Sequence, residues 1–310
     1  MAASKALGPR VAVIGDLVVD VVIAPDRELV GGTDVPGRVM LRQGGSATTT
    51  ARWLARGGAR VSLIASIGRD AAGRALVSLV ERDGVKVRAV RIPGRRTGRL
   101  GVFVAPGGER SFVQDRAAAL QLAPRHLKRE WFEGTDLVHI PAYSLLGRPL
   151  GDAGRSAAEL AHGAGALVTV DLASAEPLLE IGRQAARQAV AATRPDVILA
   201  TRAEALAVGA DEEDLLDLAP AAVIKRGPAG ATILYRLGTE VTRLDVEVAT
   251  ISVTDTTGAG DAFDAGFILG WLAARAAGRP PGDSLRRGAV AGHRLAARHL
   301  LKPPEELSFD

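Results

Sequence analysis

Apolar and polar positions alternate in blocks along the chain, and the blocks change period. Residues 10–15 form a short apolar run that predicts a first strand, and 18–23 continue as a second extended segment. Loop residues dominate 25–36, and 38–42 alternate again as a strand. Gly44-Gly45-Ser46 then opens a helix through Arg56, closed by Gly57-Gly58. From there βα alternation is regular, with a strand at 61–67 and a helix at 70–82 ended by Gly84. Short extended pieces follow at 86–92, 97–104 and 110–115, the last two joined as a hairpin by Pro106-Gly107-Gly108-Glu109.

Alternation resumes with helices at 124–132 and 150–162, helical stretches filling 176–192, and strands at 137–140, 166–171 and 196–200. Helices at 202–208 and 212–218 precede a strand at 222–225 and a hairpin over 231–244. Two long helices, 259–277 and 283–300, complete the pattern. This is the signature of an α/β fold, a three-layer, mostly parallel sheet with helices on both faces. A run of hairpin-like strands inside a βα pattern predicts a small separate β lid, drawn from about 17–43 and 97–116, over one edge of the main sheet. With no internal repeat and no long linker, 1–310 reads as a single domain.

Composition narrows the reading. Hydrophobic residues make up 47% and aromatics 4%, which suits small-residue helices packed on a Val-rich sheet. The net charge of +4 is scattered rather than clustered, so no nucleic-acid footprint is expected. The absence of cysteine excludes disulfides and thiolate chemistry and fits a reducing compartment. No apolar stretch reaches the roughly 20 residues of a membrane span, and the N-terminus does not read as a signal peptide. A soluble, cytoplasmic protein with no membrane partner is the expectation. The five histidines lack metal-ligand spacing, and His139, Trp53, Trp131 and Trp271 read as core. Arg99 and Arg110 read as charges that protect strand edges.

The strongest chemical signal is Asp255-Thr256-Thr257-Gly258-Ala259-Gly260-Asp261-Ala262-Phe263, a small-residue turn running into an apolar helix. Free N–H groups and the helix dipole make such a turn an anion site. Asp261 sits beside that site, and the helix N–H groups are expected to keep it ionised. A carboxylate there can accept an alcohol proton as the oxygen bonds to phosphorus. Taken alone, G-A-G-D is better explained by a Gly-rich helix start with a capping Asp, and the full nine-residue string reverses that preference.

With Asp264-Ala265-Gly266-Phe267 following, the string resembles the C-terminal signature of the ribokinase-like (PfkB) carbohydrate kinases. The likeness extends over about residues 10–300. Gly15 with Asp20 resembles the family's first-strand motif, and Gly44-Gly45 its di-glycine signature. Residues 67–73 resemble its G-x-D-x-x-G segment and residues 225–230 its K-x-G-x-x-G. The resemblance implies Asp261 as catalytic base and Gly258, Ala259 and Gly260 as anion hole. It implies that Asp20, Gly44, Gly45 and Thr49 meet the acceptor. Gly227, Gly230, Thr256, Lys225 and Arg226 would lie on the nucleotide side, the two basic residues being equally readable as solvated charge. Glu204 would organise Mg²⁺ through water. ATP and Mg²⁺ are the implied cofactors.

Three positions depart from the family pattern. Thr49 and Thr201 stand where the family has Asn, and a hydroxyl lacks the two-ended geometry of an amide. Residues 288–293 depart from the usual small-residue run, so no monovalent-cation site is assigned. The expected function is ATP-dependent phosphorylation of a hydroxyl on a sugar or sugar derivative, with a homodimer formed through the lid. A nucleoside kinase, including one for pseudouridine, is the alternative within the same chemistry. A non-catalytic sugar or nucleotide sensor is the alternative of another class. A dinucleotide-dependent oxidoreductase is set aside, because Gly15-Asp16 lacks the G-x-G-x-x-G turn.

Overall fold

The computed structural model describes residues 8–248, 256–302 and 305–307. In chain order the first elements are β1 (Arg10–Ile14), β2 (Val18–Pro25), β3 (Gly37–Gly44), α1 (Ser46–Arg56), β4 (Arg60–Ile67) and α2 (Ala71–Arg82). Next come β5 (Lys86–Arg91), β6 (Arg99–Val104), β7 (Arg110–Asp115), β8 (Leu137–Pro141), α3 (Leu150–Gly163), β9 (Leu167–Asp171), α4 (Ala175–Glu180) and α5 (Arg183–Ala191). The chain continues with β10 (Val197–Thr201), α6 (Arg202–Val208), β11 (Ala221–Lys225), β12 (Ala231–Leu237), β13 (Glu240–Val246), α7 (Ala259–Ala276) and α8 (Pro281–Leu300).

Nine strands form the main sheet in the order β13-β12-β11-β10-β9-β8-β1-β4-β5. Every pairing from β5 to β11 is parallel, and the β12–β13 hairpin adds the antiparallel end. Strand alternation explains the layers. Val11 and Val13 face one core, packed by α1, α2, α7 and α8, while Ala12 and Ile14 face the other, packed by α3, α5 and α6. Both faces are dry, which is why these strands read as continuous apolar runs rather than as alternating ones.

β3, β2, β6 and β7 form a separate four-stranded sheet, the expected lid. Its inward residues, including Asp20, Val22, Met40, Val102 and Phe112, border a cleft that also meets the ends of β9, β10 and β11. The lid therefore spans the cleft at the strand ends and does not run along a sheet edge. β1 pairs β4 on one side and β8 on the other, so strand order reverses there, where α/β folds open a crevice at the carboxyl ends of their strands.

Two expected helices differ. The segment 124–132 holds two short 3₁₀ turns, Pro124–His126 and Arg129–Trp131, because Leu127 and Lys128 between them are extended. The segment 212–218 is a 3₁₀ turn, Glu213–Asp217: the Asp211 carboxylate accepts from the N–H groups of Glu213 and Asp214 and competes with helical pairing. The helical stretches expected over 176–192 are α4 and α5, separated at Gly182, whose φ is +85°. No helix among the described residues is long and apolar enough to cross a membrane.

Candidate active site

The chain turns sharply at both sides of the site. Gly258 caps α7 in the left-handed conformation at φ +78°, which an L side chain adopts only at a cost. Asp261 follows in the first turn of α7. The Ala259 N–H already donates to the Thr256 carbonyl at 3.2 Å and closes the turn, so it has less to offer an anion than its neighbours.

Gly45 caps α1 at φ +103°, and a β-carbon there would lie 2.5 Å from the Asp16 carbonyl oxygen. A β-carbon on Gly44 would lie 1.8 Å from Asp20 Oδ1, so the di-glycine leaves room for the carboxylate that reaches across from β2. Ser46, the next residue, donates its hydroxyl to Asp261 Oδ1 at 2.6 Å. That bond joins the start of α1 to the start of α7. Thr49 Oγ1 donates back to the Gly45 carbonyl at 3.1 Å and borders the cleft.

Asp261 differs from the sequence expectation in its proton affinity. Burial raises its carboxyl to about 7, against the Ser46 hydrogen bond, which lowers it. Helix N–H groups do not keep it fully ionised at neutral pH. Burial, then the charge of Asp16, also raises Asp20 to about 7, while Arg116 and Arg42 pull it back.

The ends of β9, β10 and β11 contribute a buried ionic cluster. Lys225 Nζ lies 2.6 Å from Asp171 Oδ1 and 3.2 Å from Asp264 Oδ1. Burial disfavours the ammonium, but Asp171 and Asp264 outweigh it and hold the lysine protonated. Burial, then Asp171, holds Asp264 well above the usual carboxylate range. Glu204 closes a capping box on α6: Thr201 donates its N–H to Glu204 Oε2 at 2.7 Å. Thr201 thus serves as helix cap where the family pattern has Asn. Burial raises the Glu204 carboxyl, and Lys225 opposes this.

One continuous cleft of about 2290 Å³ is bordered by Asp20, Gly44, Gly45, Thr49, Glu204, Lys225, Gly227, Thr256, Gly258, Ala259, Gly260 and Asp261. The structure does not bring Arg226 or Gly230 to it. Arg226 is held by Glu212 at 2.7 Å and by the Thr232 hydroxyl at 2.7 Å, so it is not placed to meet a triphosphate. Gly230 is a packing glycine, where a β-carbon would lie 2.0 Å from the Val246 carbonyl oxygen. Lys225 reaches the cleft but is already paired.

Four residues that sequence reasoning passed over join the site. Asp16 follows the first strand, and its buried carboxylate accepts from Arg116 Nη1 at 2.8 Å. The Arg116 guanidinium stacks 4.2 Å from the centre of the Tyr143 ring. Ser46 carried no signal beyond its place after the di-glycine. The 67–73 segment is structural: Asp70 caps α2 and binds the Thr97 N–H at 2.8 Å, anchoring the start of the lid hairpin.

A doubly covered parallel sheet, a crevice at its switch point, and a carboxylate in the first turn of a glycine-capped helix are the arrangement expected of a phosphoryl-transfer enzyme of the α/β class. The chain belongs to the pfkB family of carbohydrate kinases, whose profile it matches over residues 9–303. It is a phosphotransferase that uses ATP to phosphorylate a sugar hydroxyl. It is 27% identical over 275 residues to a protein named probable fructokinase-4 from Arabidopsis thaliana, covering 85% of this chain and 82% of that one. It is 30% identical over 239 residues to an ATP-dependent ribose-1-phosphate kinase from Halopiger xanaduensis, covering 74% and 73%. Adenosine kinase from Sinorhizobium meliloti shares the fold, with a TM-score of 0.79 at 23% identity over 96% of this chain and 97% of that one. So does a putative ribokinase II from E. coli solved with ATP and Mg²⁺, at 0.77 and 22% over 97% and 96%. The curated relatives favour neither the nucleoside-kinase nor the sensor reading.

Proposed function

We propose that Asp261 is the base that takes the proton of the acceptor hydroxyl, and that the N–H groups around Gly258, Ala259 and Gly260 hold the moving phosphoryl group. The observation that carries this reading is the Ser46 bond: it brings the di-glycine loop and the base to one point. Asp261 does not deprotonate the alcohol in the ground state. It accepts the proton as the oxygen bonds to phosphorus and becomes acidic, and the first turn of α7 stabilises the charge on the transferred group.

Asp20, over Gly44 and Gly45, accepts hydroxyl hydrogens of a polyhydroxy acceptor, with Thr49 beside it. The relatives named as fructokinases and as a ribose-1-phosphate kinase support an acceptor among ketohexoses or pentose derivatives. On the nucleotide side, Gly227 and Thr256 border the phosphates, and Lys225 acts from within its carboxylate pair. Glu204 fits a Mg²⁺ that keeps most of its waters, since a single carboxylate with a neighbouring hydroxyl suits an ion carried on phosphates rather than caged by protein. When bound, the metal supplies charge neutralisation on the triphosphate.

A homodimer through the lid belongs to the same reading. The distal outward face of the lid carries Ile23, Val39 and Val113, exposed by 38%, 66% and 75%, while its opposite face lines the cleft. A cytoplasmic location fits a cysteine-free chain that consumes ATP. The test is coupled ADP release with ATP·Mg²⁺ against pentoses, hexoses, keto-deoxy acids and nucleosides. One strong acceptor, lost in Asp261→Asn, supports the reading. Full turnover in Asp261→Asn overturns the base assignment.

A further inference from the structure

His299, on the last turn of α8, touches the turn that precedes Asp261. Its Nε2 lies 2.6 Å from the Thr257 carbonyl oxygen. Its Nδ1 lies 2.9 Å from the indole Nε1 of Trp53, on α1. The two rings meet edge to face, with centres 5.5 Å apart.

The hydrogen-bond roles in this chain are fixed by chemistry. An indole N–H only donates and a carbonyl only accepts. Nδ1 must therefore be the bare nitrogen and Nε2 must carry the proton. The relay runs from Trp53 N–H to His299 to the Thr257 carbonyl, and only one neutral tautomer satisfies both ends.

The consequence lies within the same peptide group. In a trans peptide the carbonyl and the following N–H share a plane and point in opposite directions. A donor fixed on the Thr257 carbonyl therefore fixes the direction of the Gly258 N–H. It also polarises that amide and strengthens it as a donor. His299 holds the turn closely, since a β-carbon on Gly258 would lie 2.9 Å from His299 Nε2. The same helix α1 holds Asp261 through Ser46 at 2.6 Å, so α1 fixes the base directly and the anion site through His299.

We propose that His299, oriented by Trp53, is a positioning residue that aims the Gly258 N–H at the transferred phosphoryl group. The proposal rests on the anion-site role proposed above for Gly258, and it adds two residues from α1 and α8 to that role. His299 touches neither substrate in this scheme; it acts through the Thr257 peptide.

The test uses the full chain and two readouts that do not depend on the acceptor. Backbone hydrogen exchange is followed by mass spectrometry for peptides covering 256–262, with strand β8 as internal control. Affinities for AMP-PNP·Mg²⁺ and ADP·Mg²⁺ are measured by calorimetry. His299→Phe keeps the ring and removes both hydrogen bonds. Its exchange should rise about tenfold at 256–262 and stay unchanged in β8, and the preference for AMP-PNP over ADP should fall about tenfold. His299→Gln, which can still donate and accept, should recover part of both. Trp53→Phe, which frees the tautomer, should fall between them. Wild-type exchange at 256–262 together with an unchanged AMP-PNP/ADP ratio in His299→Phe would overturn the proposal, as would equal losses in the Phe and Gln variants. These results stand apart from the kinase assay: an intact relay in a protein whose Asp261→Asn variant turns over normally would overturn the base and leave the relay in place.

Discussion

At position 261 a carboxylate has two conflicting tasks. It must be sheltered enough to work beside a phosphoryl group and ionised enough to take a proton. Burial raises its carboxyl to about 7, so the proposed base is expected to be only partly ionised in the free enzyme at neutral pH. The kcat/KM profile is expected to rise with pH through about 7, because the ionised form is the base. Removing the Ser46 hydroxyl removes an effect that lowers this value. Ser46→Ala should therefore move the rising limb to higher pH and lower kcat, with Ser46→Thr restoring much of both; an unmoved limb would separate Ser46 from the base. The sign for stability is opposite to that of an ordinary paired Asp. The folded carboxyl binds its proton more tightly than the unfolded one, so the native state is favoured at low pH and loses stability as pH rises from about 4 to 7. Asp261→Asn removes this burden and should raise the melting temperature more at pH 8 than at pH 5, while turnover falls by several orders of magnitude. This residue was legible in sequence because its neighbours are glycines in a fixed string. Its hydrogen-bond partner Ser46 was not, because a serine at a helix start has no local feature that marks what it faces across the fold.

At the scale of elements, local chemistry decided where helices begin and end. Asp70 and Thr201 cap their helices through side chains three residues ahead of the bonded N–H, a spacing visible in the chain. The weak helices at 124–132 and 212–218 failed because short polar segments offered turns as good as helix. α7 and α8 show the other side of local reading. They approach closely because Gly288 and Gly292 lie against Phe267 and Phe263, where added β-carbons would fall 2.8 Å from the rings. In the sequence these glycines look like poor helix formers. In the packed pair they are the surface on which two aromatic rings rest. Gly288→Val should force the helices apart and cost about 1–3 kcal/mol, read as a loss of urea-unfolding free energy. A neutral effect would mean the helices slide freely.

For the whole molecule, two sheets divide the labour: one carries a doubly covered core and the other covers the cleft. If the outward lid face joins two copies, Val39→Glu with Val113→Glu should convert a dimer to a monomer in light scattering at micromolar concentration, with the core's melting behaviour unchanged. A wild-type monomer under the same conditions would count against a lid dimer. The sequence by itself determined the layered α/β order, the two-sided burial of the strands, the small second sheet and the glycine-rich string at 258–261. These follow from the period of apolar residues and from backbone conformations that only glycine adopts easily, both of which are written locally. Only the tertiary structure decided that Lys225 is shared by Asp171 and Asp264, that Arg226 turns away to Glu212, and that Asp16 meets Arg116. It also decided that burial raises the Asp261 carboxyl to about 7. Those outcomes depend on which side chains from distant strands and helices meet, and on how much water their meeting excludes. No spacing along the chain encodes either quantity.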